Sequence, residues 1–357
     1  MTDLLESALQ LFQSASAAQH SGNFARAEAD YLACLGLFRQ IEGENTTNIA
    51  NLRNAIAIVR EQQGDLDGAL ASARQAHTVM EALSDDDPDS ELIRLQAWAT
   101  IGNIQRHLAR YTEAETWLAR ALEQSIRCFG EASDEAAEAR NNLGMLYKYT
   151  AAFDKAEALY QKALTQLIAS LGEQSSSVAA IFHNLGGLEH ARGDFAAGEP
   201  YGRKAWDINR ALLGDEHPSA LQDACAYAGI LDGLARYTES EPIYRHALAI
   251  FEQIYGSEHY EIAVNLNNLA NVRWQLGDPA EAEQLYRRAI AVKENILGAD
   301  HPDTALSVSN LGVLLQSQER RKEARPLFKR ALRDFRKRLG EDHPKTQMAK
   351  ENLSAIA

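Results

Sequence analysis

The sequence predicts an all-α fold: a right-handed superhelical α-solenoid of eight antiparallel helix pairs plus a C-terminal capping helix. Three observations carry this reading. The composition favours helix, the loops are marked every 42 residues, and three ladders of small residues keep the same period.

The chain has 357 residues, more than one compact core usually fills, so its core must be divided or grow along one axis. It is 45% apolar and 24% charged, an ordinary soluble balance. Ala, Leu, Glu and Arg dominate, and all favour helix, as does Gln. The loop mark is an aromatic residue or Leu followed by Gly. It falls at Phe129-Gly130, Leu171-Gly172, Leu213-Gly214, Tyr255-Gly256, Leu297-Gly298 and Leu339-Gly340, always 42 residues apart. Gly after a helical run suits a left-handed residue that ends the helix. His-Pro follows three of the marks, at 217-218, 301-302 and 343-344, and Pro fits the first turn of a new helix.

Between the marks lie two amphipathic stretches, separated by breaks such as EQQGDL at 61-66, ARGDF at 191-195 and QLGDP at 275-279. The first helix of each unit carries Ala15, Ala57, Gly102, Gly144, Gly186, Ala228, Ala270 and Gly312. The second carries Ala27, Ala69, Ala114, Ala156, Gly198, Ser240, Ala282 and Ala324. Seven residues later come Cys34, Ala76, Ala121, Ala163, Ala205, Ala247, Ala289 and Ala331. The step is 42 except between the second and third units, where it is 45. Helices approach to about 8 Å only where the crossing side chains are small, so these ladders specify close antiparallel pairs. Leu143, Leu185, Leu269 and Leu311 fill the remaining core. The expected organisation is a single solenoid over 1-357, with units at about 3-44, 45-88, 89-132, 133-174, 175-216, 217-258, 259-300 and 301-342. Residues 343-357 repeat only a first helix and cap the last apolar face.

The small-residue spacing resembles the tetratricopeptide repeat consensus. The 42-residue length, the NNLG and NNLA helices (Asn141 to Gly144, Asn267 to Ala270) and the LGxxHP loops resemble the kinesin-light-chain variety. The resemblance covers essentially the whole chain and implies a concave surface, lined by first helices, that binds peptide segments. The first two units lack the Leu-Gly mark and the Asn pair, so the working surface is expected in roughly the C-terminal two-thirds.

The formal charge of −14 repels phosphate, which argues against nucleic acid as a partner. Cys34, Cys128 and Cys225 show no pairing or metal spacing and suggest free thiols in a reducing compartment. The start MTDLLESALQ is acidic where a signal peptide is basic, and no stretch approaches the roughly 18 apolar residues of a membrane span. A cytoplasmic protein without a cofactor is expected.

The most pointed signal is an asparagine ladder: Asn142, Asn184, Asn268, Asn310 and Asn352, broken at Ala226. Asn is a mediocre helix former, so its mid-helix recurrence wants a reason. An amide can grip the backbone of an extended peptide, or it can bond to the neighbouring unit; both readings stand. Helical spacing puts Asn103, Arg106, Asn141, Lys148, Tyr149, His183, Asn267, Asn271 and Trp274 on the same face. Arg106 and Lys148 would make its floor locally basic, which suits an acidic or C-terminal carboxylate. His217, His259, His301 and His343 sit one per loop, too dispersed for a shared metal, and are expected to be structural. The run Asp85-Asp86-Asp87-Pro88-Asp89 hints at a calcium loop but lacks the Gly and Glu that such a loop needs at Ser90 and Gln96. The basic stretch 320-340 is expected to be a solvated outer face, with Pro326 near the first turn of its helix. No nucleophile elbow, zinc-protease, P-loop or dinucleotide pattern occurs. The chain is therefore expected to be a non-enzymatic adaptor or scaffold that holds an extended protein or peptide segment. The alternatives are a peptide-responsive regulatory sensor and a non-catalytic subunit of an enzyme complex.

Overall fold

A computed structural model describes residues 2–20, 23–83 and 88–356. The acidic run Asp85-Asp86-Asp87 lies outside the described residues. Among those described, the regular elements are seventeen α-helices. They run as α1 (Thr2–His20) and α2 (Phe24–Glu42), α3 (Thr47–Gln62) and α4 (Leu66–Ala82), α5 (Pro88–His107) and α6 (Tyr111–Phe129), α7 (Asp134–Tyr149) and α8 (Phe153–Leu171). Then come α9 (Ser176–Arg192) and α10 (Phe195–Leu213), α11 (Pro218–Gly233) and α12 (Tyr237–Tyr255), α13 (Tyr260–Gln275) and α14 (Pro279–Leu297), α15 (Pro302–Ser317) and α16 (Arg321–Leu339), and finally α17 (Pro344–Ser354). The chain divides into two compact units, Met1–Leu146 and Tyr147–Ala357, with the division falling inside α7.

Within each unit the helices of a pair pack together, and the second helix packs on the first helix of the next pair. The small-residue ladders lie at these crossings. Ala15, Ala57, Ala69, Ala163, Ala247, Ala282 and Ala331 are fully buried. At the crossing of α9 and α10 the backbones themselves meet: a Cβ on Gly186 would stand 3.1 Å from the amide nitrogen of Gly202. A second column in the same helices, not singled out from sequence, is large: Tyr160, Tyr244, Tyr286 and Phe328 are all buried. Gly202 occupies that column in α10, where a Cβ would stand 2.8 Å from Ile230 Cδ1 of α11.

The loop glycines correct one expectation. Their φ is positive, as foreseen, but ψ is extended rather than left-handed: Gly214 has φ 96° and ψ 162°, and Gly298 has φ 93° and ψ 158°. That region is open essentially to Gly alone. The left-handed turn occurs instead within the pairs, at Gly193 (φ 83°, ψ 7°). In the same register positive φ is carried by Ala109, Ala151, Ala235 and Glu319, at 55° to 63°.

The four loop histidines are N-caps. The Nδ1 atoms of His217, His259, His301 and His343 accept from the backbone N–H two residues on, at 3.2, 3.3, 3.1 and 3.2 Å. An accepting Nδ1 leaves Nε2 as the donor, and Nε2 of His343 reaches the carbonyl of Tyr149 at 3.3 Å, across 194 residues of chain. The second unit therefore curls until α17 meets the end of α7.

Pro326 stands sixth in α16, deeper than the first turn expected; Pro200 and Pro242 stand sixth in α10 and α12. All three are exposed, so the carbonyl each leaves without its helical donor faces the wet side of its helix. Several basic residues of α16 are paired: Lys337 and Arg338 hold Asp300 at 2.7 and 2.8 Å, and Arg330 holds Glu294 at 2.6 Å. These pairs fit a solvated outer face.

Two predictions follow from the turns. Gly214→Ala should lower unfolding free energy by about 1–3 kcal/mol, because a Cβ is strained in that region. Ala235→Gly, at an exposed positive-φ site, should raise it by about 0.5–1 kcal/mol; urea unfolding reads both. A third concerns the cap. Burial lowers the His343 pKa from 6.5; the Tyr149 carbonyl opposes this and Lys345 adds to it. A His whose folded pKa is depressed contributes stability above its unfolded value and loses it as pH falls through the folded one. His343→Ala should cost about 1 kcal/mol at pH 7.5 and less at pH 5, in paired thermal melts.

Candidate functional site

The first helices of the second unit share one polar face. One column on it runs Lys148, His190, Asp232, Trp274 and Gln316, each 42 residues from the next. It changes character from basic to acidic to aromatic, so the floor is not uniformly basic.

A cavity of about 540 Å³ opens on this face. The amides of Asn267, Asn268, Asn271 and Asn310 line it, with the rings of Phe195, Trp274, Tyr244 and Tyr286. Gly187, Ala226, Gly229 and Gly233 give it room. Ala226 is the break in the asparagine ladder, and the break coincides with the opening. A Cβ on Gly233 would fall 2.1 Å from the Phe195 ring, so that ring lies flat against the α11 backbone.

Asp232 supplies the acid of the cavity wall. It accepts from the Tyr244 hydroxyl at 3.0 Å and closely from the Ser240 hydroxyl. Burial pushes its pKa up to about 6, against both of these hydrogen bonds. His190 turns its ring into the cavity, 5.2 Å from the Phe195 ring centroid. Desolvation by the surrounding walls and the Lys148 ammonium keep its pKa below the usual value, against a bond with the Gly229 backbone. Cys225 donates to Asn265 Oδ1 at 3.1 Å, and burial pushes its thiol pKa far up, so it is inert at neutral pH.

Asn310 donates to Asn267 at 3.3 Å, and Asn267 to Asn268 at 3.3 Å. Asn352 donates to Ser309 at 3.4 Å, and Asn184 is buried. Part of the ladder therefore bridges neighbouring repeats, while its members Asn268 and Asn310, and Asn271 outside it, face the cavity. His183 pairs with Asp223 at 2.7 Å, and Asn209 holds the other carboxylate oxygen at 2.7 Å. The half-buried Lys148 lies over α9, where a Cβ on Gly187 would stand 3.1 Å from its Nζ. Tyr149 offers its carbonyl to His343.

In the first unit Asn103 donates to the buried Asn142 at 3.2 Å, and Asn141 is half-buried nearby in sequence. Arg106 is 7% exposed, near the Glu61 carboxylate and 2.7 Å from His107 Nε2. Burial pushes the Glu61 pKa up to about 7, with the Arg106 charge opposing. Arg106 thus belongs to an internal polar cluster more than to an open floor.

Sequence reasoning missed His190, Asp232, Tyr244 and Tyr286. Extending the Arg106 and Lys148 column by 42 would have reached the first two. Among the described residues no cluster of His, Cys, Asp or Glu could hold a metal ion, and no helix is long and apolar enough to cross a membrane.

The helix pairs and their polar inner face define a helical-repeat scaffold of the protein-interaction class. The chain belongs to the tetratricopeptide repeat family, whose model matches residues 4–82, 94–169, 177–253, 224–295 and 261–337. No curated protein matches the sequence. Among solved structures, a Rap protein complexed with competence and sporulation factor is similar over 100% of this chain and 98% of its own, at 13% identity and a TM-score of 0.63. The Rap conjugation gene regulator of plasmid pLS20, complexed with the Phr* peptide, is similar over 82% of this chain and 75% of its own, at 15% identity and a TM-score of 0.66. BtubC (BKLC) from P. vanneervenii is 21% identical over 71% of this chain and 92% of its own, with a TM-score of 0.48.

The raised pKa of Asp232 has a stability consequence. A carboxyl whose folded pKa lies above its unfolded 3.8 contributes stability below that value and loses it as pH rises through about 6. Relative to wild type, Asp232→Asn should gain on the order of 2 kcal/mol between pH 4 and pH 7. Melting both proteins across that range checks it; a constant difference would count against the burial of the charge.

Proposed function

We propose that the protein is a non-catalytic adaptor that holds an extended protein or peptide segment along the first-helix face of the second unit, in a cytoplasmic setting. The observation that carries this is the asparagine-lined cavity. Asn268, Asn271 and Asn310 present donor and acceptor together, which suits a peptide backbone of any sequence. Adjacent first helices stand roughly 10 Å apart, so one amide row would meet about every third residue of an extended chain. Membership of a repeat family with interaction surfaces supports the reading, as does the fold it shares with a Rap regulator solved with the Phr* peptide.

The Lys148 end of the column suits a carboxylate, either an acidic side chain or a C-terminus. A second reading, a peptide-responsive sensor, is favoured by the His343–Tyr149 hydrogen bond. A segment laid along the inner face of the curl would alter the spacing that this bond requires.

The test is a displayed heptapeptide library panned on the purified chain. Replacing Asn268, Asn271 and Asn310 together by Ala should cut retention of selected peptides at least tenfold while circular dichroism stays unchanged. Equal retention by the folded triple variant would remove the groove.

A further inference from the structure

The cavity holds a carboxylate that the backbone-gripping role does not use. We infer that the Asp232 end of the cavity is a selective pocket for a guanidinium group, so that the bound segment carries an arginine there. This rests on the groove reading above and adds a residue preference to it.

Four observations converge. First, Asp232 has no ion-pair partner among the described residues; its partners are the hydroxyls of Ser240 and Tyr244. Each carboxylate oxygen accepts one of these bonds, Oδ1 from Ser240 and Oδ2 from Tyr244. One lone pair per oxygen is left, the pattern a guanidinium fork fills with two parallel N–H donors. Second, the hydroxyls hold the carboxylate in place, so no rotamer freedom is lost when a cation arrives. Third, part of the wall is aromatic and accessible: the half-buried Trp274 and Phe195 line the same cavity, with the buried Tyr244 and Tyr286 behind it. Ring faces attract a planar cation and cover the apolar stem of an arginine. Fourth, the volume of about 540 Å³ lies within the 300–1,000 Å³ usual for ligand sites, room for a long side chain with its backbone.

The sequence supports the placement. Ala226, Gly229 and Gly233 on α11 leave space beside Asp232 that larger residues at these positions would take. Lysine is a poorer fit, because a compact ammonium cannot donate in parallel to both oxygens and is more strongly hydrated. The burial that makes an unpaired Asp232 carboxylate costly also makes a matching cation more favourable there.

The probes are N-acetyl-arginine methylamide, its lysine counterpart and its citrulline counterpart, the last a neutral isostere of arginine. Each is titrated at pH 7.5 into the full chain, with calorimetry and intrinsic tryptophan fluorescence, to which Trp274 contributes, as readouts. The arginine probe should bind at least tenfold tighter than citrulline and at least threefold tighter than lysine. Asp232→Asn should abolish the advantage over citrulline. Equal binding of arginine and citrulline overturns the proposal, as does an advantage that survives in Asp232→Asn. Arginine and lysine binding alike overturns the guanidinium assignment. The citrulline comparison uses wild-type protein, so it stands even if the variant does not fold. The two readings fail separately. Peptides retained without arginine enrichment remove only the pocket's preference; an arginine probe held on Asp232 while no peptide is retained removes only the groove.

Discussion

Close backbone approach at the helix crossings is the constraint on which the rest depends. Two helices come within van der Waals reach of each other's main chain only where the side chains between them are absent or a single methyl. The ladders, Ala or Gly at every position but Cys34 and Ser240, supply that condition three times per repeat. The large column of Tyr160, Tyr244, Tyr286 and Phe328 then fills the space that the small ladders leave. Where Gly202 replaces an aromatic in that column, Ile230 of α11 takes up the space, and Gly186 of α9 lets backbone meet backbone beside it. The cavity adjoins this place: Gly187 and His190 of α9 and Phe195 of α10 are part of its wall.

A polar inner face follows from the same geometry. With the apolar sides of each helix consumed by its pair and its neighbour, the remaining side of each first helix must carry groups that tolerate a half-enclosed, half-wet setting. Amides do so at little cost, because they bond to one another when nothing else is present. Asn310, Asn267 and Asn268 form such a chain. An amide row that satisfies itself when empty and can exchange those bonds for a guest is preorganised without being frustrated.

The fold was almost wholly legible in the sequence, because a repeat writes the same packing demand many times over. Gly214 and its equivalents announced positive φ, yet not which positive-φ basin, since glycine admits both. His217 and its equivalents announced a structural loop role, while capping through Nδ1 became visible only with the helix start in place. The site was legible in part. The ladder residues Asn268 and Asn310 were readable as a recurrence. Asp232 was not, because it departs from its column, and a search for recurrence passes over what does not recur. The burial of Arg106 was not legible for a related reason: its column position says which face it is on, and not that Glu61 comes near it from the preceding pair.

The hydrogen bond between His343 and Tyr149 differs in kind from the other contacts of the solenoid. Nearly every packing contact there joins elements adjacent in sequence, so the chain has low contact order and its pairs can form independently. A bond across 194 residues can close only when every intervening pair has stacked with the right rotation. Small angular errors at each interface add along the stack, and this one polar contact samples their sum. It is the second unit's own gauge of its accumulated twist.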